Sequence, residues 1–229
     1  MSDVNARTLD KLFDQVPVPE GYKGEIVEGA IYIAPHLDIH WETTLAILRT
    51  LTARFGDGVQ LFSDVRIDFP GHLNGFAPDV AKLRDGSEAD AEGRWHHQDV
   101  EFIAEVVDPH RAKNDYGPKR TAYALAEIPA YLIADPYQGK CHLFTQPKDG
   151  EYVIETSVGF GADVDMTGTV LGLTLKTDEF PRDCHLGALL TSTKLELLRS
   201  AHDHTAAHPV LPSAARRPAH RLLDGRRPP

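Results

Sequence analysis

Cysteine is scarce in this 229-residue chain: Cys141 and Cys184 are the only two. With no CxxC spacing, a disulfide scaffold and a thiolate zinc site are both excluded. No apolar run approaches the ~20 residues that a membrane-crossing helix needs. The start, MSDVNARTLDKLFDQVPVP, lacks the basic stretch and apolar core of a secretory signal. A soluble, cytoplasmic protein without a membrane partner is therefore expected. Several chemical signatures are missing too: a GxSxG elbow, a phosphate-cradling glycine loop, a GxGxxG after a strand, and HExxH. What remains is ordinary globular usage, 41% hydrophobic and 25% charged, which excludes a collagen-like, coiled-coil or wholly disordered chain.

Positive charge is in short supply as well, with 24 Lys and Arg against 34 Asp and Glu, a formal net charge of −10. The shortage is uneven. From Arg182 onward eight basic residues face four acidic ones, so the end of the chain is net positive and the remainder carries −14. Such a surface keeps a protein soluble and repels a phosphate backbone at long range. The final stretch, from about residue 201, is rich in Pro, Ala, Arg and His and shows neither helical nor strand period, so disorder is expected there. Leu186 to Ser200 carries leucines at helical spacing. The expected organisation is one domain over residues 1–200 and a basic tail over 201–229.

Within the domain the hydrophobic period alternates. Thr8 to Gln15 reads as a short helix capped by Thr8 and ended before Pro17. Glu25 to Ala34 is a β run interrupted at Gly29, hence a hairpin or a bent strand. Asp38 to Phe55 is the clearest helix, capped by Asp38, with Leu45, Leu48, Leu51 and Phe55 on one face and Gly56 stopping it. Strands are expected at Gln60–Phe69, Gly75–Leu83 and Val100–Val107, the last two separated by a polar connector. A second helix follows at Asp115–Glu127, with Pro118 in its first turn. Strands return at Ala130–Ala134, Cys141–Gln146 and Glu151–Ser157. The order predicts an α/β (α+β) fold, a mixed central sheet flanked by helices.

Two carboxylates stand where a strand should be apolar. Asp79 follows Pro78 in GFAPDVAKL, and Glu105 interrupts FIAEVV. Strand parity puts Ile103, Glu105 and Val107 on one face. Burying a carboxylate there is costly unless something binds it. An arginine or a backbone end would serve, and so would Mg²⁺, which is commonly held by one or two carboxylates plus waters and phosphate oxygens.

Taken together, Pro78-Asp79, then Glu105-Val106-Val107, then a helix bearing Lys119, resemble the PD-(D/E)XK nuclease superfamily. More closely, the chain from about Tyr22 to Pro136 resembles the Uma-two family of restriction-endonuclease-like proteins. Glu25-Ile-Val-Glu-Gly29 is similar to its early strand and His40 to its helix-start histidine. Asp115-Tyr-Gly-Pro-Lys119-Arg-Thr-Ala-Tyr123 and Ile128-Pro129-Ala130-Tyr131 are similar to the segments that follow. The resemblance implies a restriction-endonuclease-like core and a Mg²⁺-dependent endonuclease (Mn²⁺ serving as well) that hydrolyses DNA. Asp79, Glu105 and Lys119 would be catalytic and Asp79 and Glu105 would hold the metal. Glu25, His40 and Asp115 would be accessory, His40 touching metal, water or phosphate, and a homodimer is left open as the assembly.

The chain departs from the pattern in two places. The superfamily's lysine position is Val107 here, and the family's Ser-Pro-Ser-Thr reads Asp108-Pro109-His110-Arg111. Lys119 is the replacement expected to lie over the Asp79–Glu105 pair; otherwise it is a surface partner of Asp115. Val107 and the acidic charge leave a second reading open, a degenerate nuclease fold that binds or regulates without hydrolysis.

Overall fold

The computed structural model describes residues 3–35 and 37–183. Glu28 and Gly29 both have positive φ, 50° and 80°, the geometry of a two-residue type I′ turn whose twist matches that of its flanking strands. They join β1 (Tyr22–Val27) to β2 (Ala30–Pro35), with Val27 opposite Ala30. Glycine at the second turn position removes the Cβ clash that such a φ would otherwise impose.

The hairpin belongs to a five-stranded sheet, ordered β2-β1-β5-β4-β7, with β4 at Ile67–Phe69, β5 at Asn74–Phe76 and β7 at Trp95–His96. A six-stranded sheet, ordered β11-β10-β9-β8-β6-β3, forms the centre of the molecule. Its members are β3 (Leu61–Phe62), β6 (Val80–Leu83), β8 (Val100–Val106), β9 (Ala130–Asp135), β10 (Lys140–Lys148) and β11 (Glu151–Gly159). Only β8 and β9 run parallel in it, and the helix between them is the crossover that parallel neighbours require. A small pair, β12 (Val164–Met166) and β13 (Leu173–Leu175), completes the strands. The expected mixed-sheet α+β architecture is observed.

Around β8 and β9 the central sheet buries both faces, while its edge strand β11 is largely exposed. Phe102, Ala104 and Val106 of β8 pack with Ile47 and Leu51 of helix α2 (Asp38–Phe55) and with Val164 and Leu175. Ile103 and Val107 point the other way, into a second cluster with Ile67, Phe69 and Phe76 of the five-stranded sheet and with Tyr123 and Tyr131. Helix α1 (Asp3–Gln15) brings Phe13 against Gly75 of β5, where a Cβ would lie 2.7 Å from the ring. No helix among the described residues is long and apolar enough to cross a membrane.

Several expectations need correction. Helix α1 starts at Asp3, so Thr8 lies inside it and not at its cap. Asp38 is the first helical residue of α2, Leu37 is the cap position, and no side chain caps it. The core-facing side of α2 is Thr43, Thr44, Ile47 and Leu51, one position round from the leucine stripe; the two threonines fit because Thr43 returns its hydroxyl to the Ile39 carbonyl at 3.1 Å. Gln60–Phe69 and Gly75–Leu83 each split into two strands that enter different sheets. The first breaks around Asp64, at φ 57°, and the second at Ala77-Pro78-Asp79, where proline has no N–H to give a ladder.

The second helix begins earlier than expected. It is a composite over residues 112–125, called α3 here: one α turn at Ala112–Asn114, a π turn at Asp115–Lys119 and an α-helical run at Arg120–Leu125. Pro118 sits inside it, and the wider π register accommodates a residue that cannot donate the usual bond. The Leu186–Ser200 helix and the 201–229 tail lie outside the described residues.

Candidate active site

In the antiparallel pairing of β6 with β8, Val80 stands opposite Ala104. Asp79 immediately precedes β6, and Glu105 follows Ala104 on the face of β8 shared with Ile103 and Val107. From the other sheet, β1 presents Lys23 and Glu25 with one residue between them, hence on one side of the strand. The π turn of α3 supplies Asp115 and Lys119. All six residues singled out in the sequence, Glu25, His40, Asp79, Glu105, Asp115 and Lys119, line one cavity, together with Lys23, Asp108, Arg111 and Asn114.

Lys119 is the hub. Its ammonium lies 2.6 Å from Glu105 Oε1, 3.1 Å from Glu25 Oε1 and 3.2 Å from Asp115 Oδ1, and the residue is 1% exposed. Glu105 Oε1 also accepts the Tyr123 hydroxyl at 2.6 Å, and Glu25 Oε1 accepts the Ala77 N–H at 2.9 Å. Asp79 has a separate set of partners. Lys23 Nζ donates to its Oδ1 at 2.5 Å, and the Val106 N–H donates to its Oδ2 at 2.7 Å. The expectation that Lys119 covers both Asp79 and Glu105 is thus divided between two lysines. Lys119 is no surface partner of Asp115, since both are buried.

Electrostatics follow from this crowding. Burial, with Asp79 and Glu25 nearby, overrides the pull of Lys119 and holds the Glu105 carboxyl up at about 8. Asp115 is raised in the same way, to about 6. Asp79 goes the other way: burial is outweighed by Lys23 and the Val106 N–H, and its carboxyl falls to about 2. Lys119 loses some basicity to burial but gains more from Glu105, Glu25 and Asp115, so it stays protonated. His40, whose Nε2 lies 3.1 Å from the Val107 carbonyl, is pushed below its ordinary value by burial.

Lys23 and Arg111 are the residues that sequence reasoning missed. The parity of Lys23 with Glu25 in an exposed-then-buried strand was the available signal for the first. Arg111 was seen only as a departure from a pattern. It closes a turn on Asp108, donating its Nε to Oδ2 at 3.2 Å, and its Nη1 is buried with no hydrogen-bond partner.

The sequence profile of the Uma2 family, described as "Putative restriction endonuclease", matches residues 10–178. The chain belongs to the Uma2 family. Among solved structures it is similar to "a putative nuclease belonging to DUF820" from Anabaena variabilis ATCC 29413, with a TM-score of 0.59 at 14% identity. That match covers 75% of this chain and 96% of the other, and it shows a shared fold. No curated protein is significantly similar to the chain.

Every cavity residue of this Uma2 protein falls inside the matched stretch. Val107 is buried in the apolar cluster, so ammonium groups enter from β1 and α3 instead of from β8. Among the described residues no three His, Cys, Asp or Glu side chains form a ready-made metal cage. Magnesium does not require one, because one or two carboxylates completed by water suffice. The donor set fits such an ion: the cavity lining has five carboxylates, at Glu25, Asp79, Glu105, Asp108 and Asp115, against three cationic side chains. Its free space is about 10 Å³, room for one water-sized occupant. Lys23 stands on Asp79 Oδ1, so metal ligation there requires that ammonium to withdraw.

Proposed function

We propose that this Uma2 protein is a divalent-metal-dependent endonuclease hydrolysing DNA phosphodiester bonds, with Mg²⁺ or Mn²⁺ held by Asp79 and Glu105. The observation carrying the reading is that these two carboxylates line one buried cavity whose walls carry two more carboxylates than cationic side chains. A bound divalent ion supplies Lewis acidity, activating water and neutralising charge on the phosphate. The chain's own groups do the positioning. Lys119, whose three N–H donors are taken by three carboxyl groups, holds its proton and supplies a fixed positive charge to the site. Glu25 aims that ammonium while being held itself by the Ala77 N–H. Tyr123 holds Glu105 in one orientation.

A second reading has its own observation. Both oxygens of Asp79 already have partners, one of them Lys23, as in a nuclease fold that keeps its site filled and acts by binding alone. The deciding experiment is calorimetry with Mg²⁺ and Mn²⁺ on the parent and on Asp79→Ala, beside cleavage of plasmid and oligonucleotide DNA. Metal binding that disappears with Asp79→Ala, together with metal-dependent cleavage, supports the enzyme. No binding at millimolar metal supports the second reading.

A further inference from the structure

A groove of about 340 Å³ adjoins the carboxylate cavity and shares Lys23, His40, Asp79 and Arg111 with it. Trp41, in the first turn of α2, lines the groove and is 56% exposed. An indole left this open withholds a large apolar surface from the core, and nothing among the described residues covers it. The groove also contains Arg111, whose buried Nη1 lacks a hydrogen-bond partner. The anionic oxygen facing that nitrogen, Glu25 Oε2 at 3.9 Å, is beyond hydrogen-bond reach, so a phosphate oxygen brought closer would complete it.

We propose that one unpaired DNA strand occupies this groove, with a base stacked on Trp41 and a backbone phosphate on Arg111. The proposal rests on the nuclease reading and names its substrate as single-stranded DNA. Three observations favour a single strand over a duplex. A stacking platform needs an exposed π face on the base, which pairing and stacking deny it in a duplex. The metal-binding carboxylates are recessed, Glu105 being 1% exposed, and a flexible strand enters such a recess more readily than a stiff helix. Finally, the groove's lining carries Asp38, Asp64 and Asp79 against Lys23 and Arg111, and a duplex, with one phosphate per ~1.7 Å of axis counting both strands, is repelled there more than a single strand.

The test uses the full chain in excess chelator, so that binding is read without cleavage. Fluorescence anisotropy is followed for labelled dT12 and for the dT12–dA12 duplex. The single strand is expected to bind at least ten-fold more tightly than the duplex. Trp41→Ala should weaken single-strand binding by about ten- to a hundred-fold, while Trp41→Phe, which keeps a ring, stays within about three-fold. Equal or tighter binding of the duplex, or a Trp41→Ala variant that binds dT12 like the parent, would overturn the proposal. Binding through the basic residues near the end of the chain gives that second result. Cleavage with Mg²⁺ is scored separately. Cleavage without Trp41 dependence sinks the strand site and leaves the nuclease reading standing. Trp41-dependent binding without cleavage supports the strand site and sinks hydrolysis.

Discussion

Lys119 Nζ lies 2.6 Å from Glu105 Oε1 and 3.1 Å from Glu25 Oε1, bridging the five-stranded and six-stranded sheets through one buried ammonium. Three carboxyl groups, with Asp115 the third at 3.2 Å, converge on that ammonium. Removing one partner from a buried ionic cluster typically costs ~3–5 kcal/mol, because the others remain buried without compensation. Lys119→Met should lose about that much stability in urea denaturation. Millimolar Mg²⁺ should raise its melting temperature more than it raises the parent's, since a cation is what the cluster then lacks. Metal-dependent DNA cleavage by the variant should be abolished. A variant as stable as the parent would mean that Lys119 is not the hub.

The raised Glu105 carboxyl sets a pH dependence with a definite sign. Between its ordinary 4.5 and about 8, the folded protein holds a proton that the unfolded chain has released. Stability then falls as pH rises through that window. Asp115, raised to about 6, adds to the fall in the lower part. Asp79 acts oppositely: its stabilisation is present above its ordinary 3.8 and is lost as pH falls toward 2. Chelator-treated protein should therefore be more stable at pH 5 than at pH 8 in urea titrations. Glu105→Gln should flatten the slope, and a parent profile rising from pH 5 to 8 would contradict the assignment.

How much of this was legible beforehand depends on where each signal resides. Glu105 was readable because a carboxylate on a strand otherwise made of Phe, Ile, Ala and Val violates the local pattern. Asp79 was readable from Pro78-Asp79, yet the same proline's breaking of β5 from β6 went unread because the apolar run continues across it. Lys23 was not readable as a partner of Asp79: the two are 56 residues apart, and only the β1–β5 pairing brings them together. The three-residue strands β12 and β13 are too short to show a period at all. The π turn left a trace in Gly117-Pro118, and it spans Asp115–Lys119, whose two end residues are buried in the cavity.

Tyr123 packs in the core, at 0% exposure with its ring edge-on to Phe69 and Phe76. Its hydroxyl adds a second task by donating to Glu105 Oε1 at 2.6 Å. Tyr123→Phe keeps the ring and deletes only that bond. With the Glu105 carboxyl holding its proton up to about 8, the bond is between uncharged groups, worth ~0.5–1.5 kcal/mol, and a loss of about that size is expected. Because Glu105 is then less fixed, cleavage should fall further than folding at temperatures where the variant remains native. Unchanged stability would show that the hydroxyl is satisfied elsewhere.

Lys23 decides between the two functional readings, because it stands where a metal would have to stand. Its ammonium is 2.5 Å from Asp79 Oδ1 and 3.3 Å from Asp64 Oδ1, and the carboxylates around it keep it protonated despite burial. A tethered cation and a divalent ion compete for the same oxygen. Lys23→Met should therefore tighten Mg²⁺ binding, by about ten-fold if the lysine's contact costs the ion ~1.4 kcal/mol. Lys23→Arg, which restores the charge, should not. In the enzyme reading the parent binds Mg²⁺ at millimolar concentration, and Lys23→Met binds more tightly. In the degenerate reading the parent binds none, and Lys23→Met recovers a site. Calorimetry on the three proteins separates these cases, with thermal melts to confirm that Lys23→Met is folded once metal replaces the lost charge. If the folded variant binds Mg²⁺ no better than the parent, Lys23 does not compete for the ion, and the assignment of Asp79 as its ligand falls.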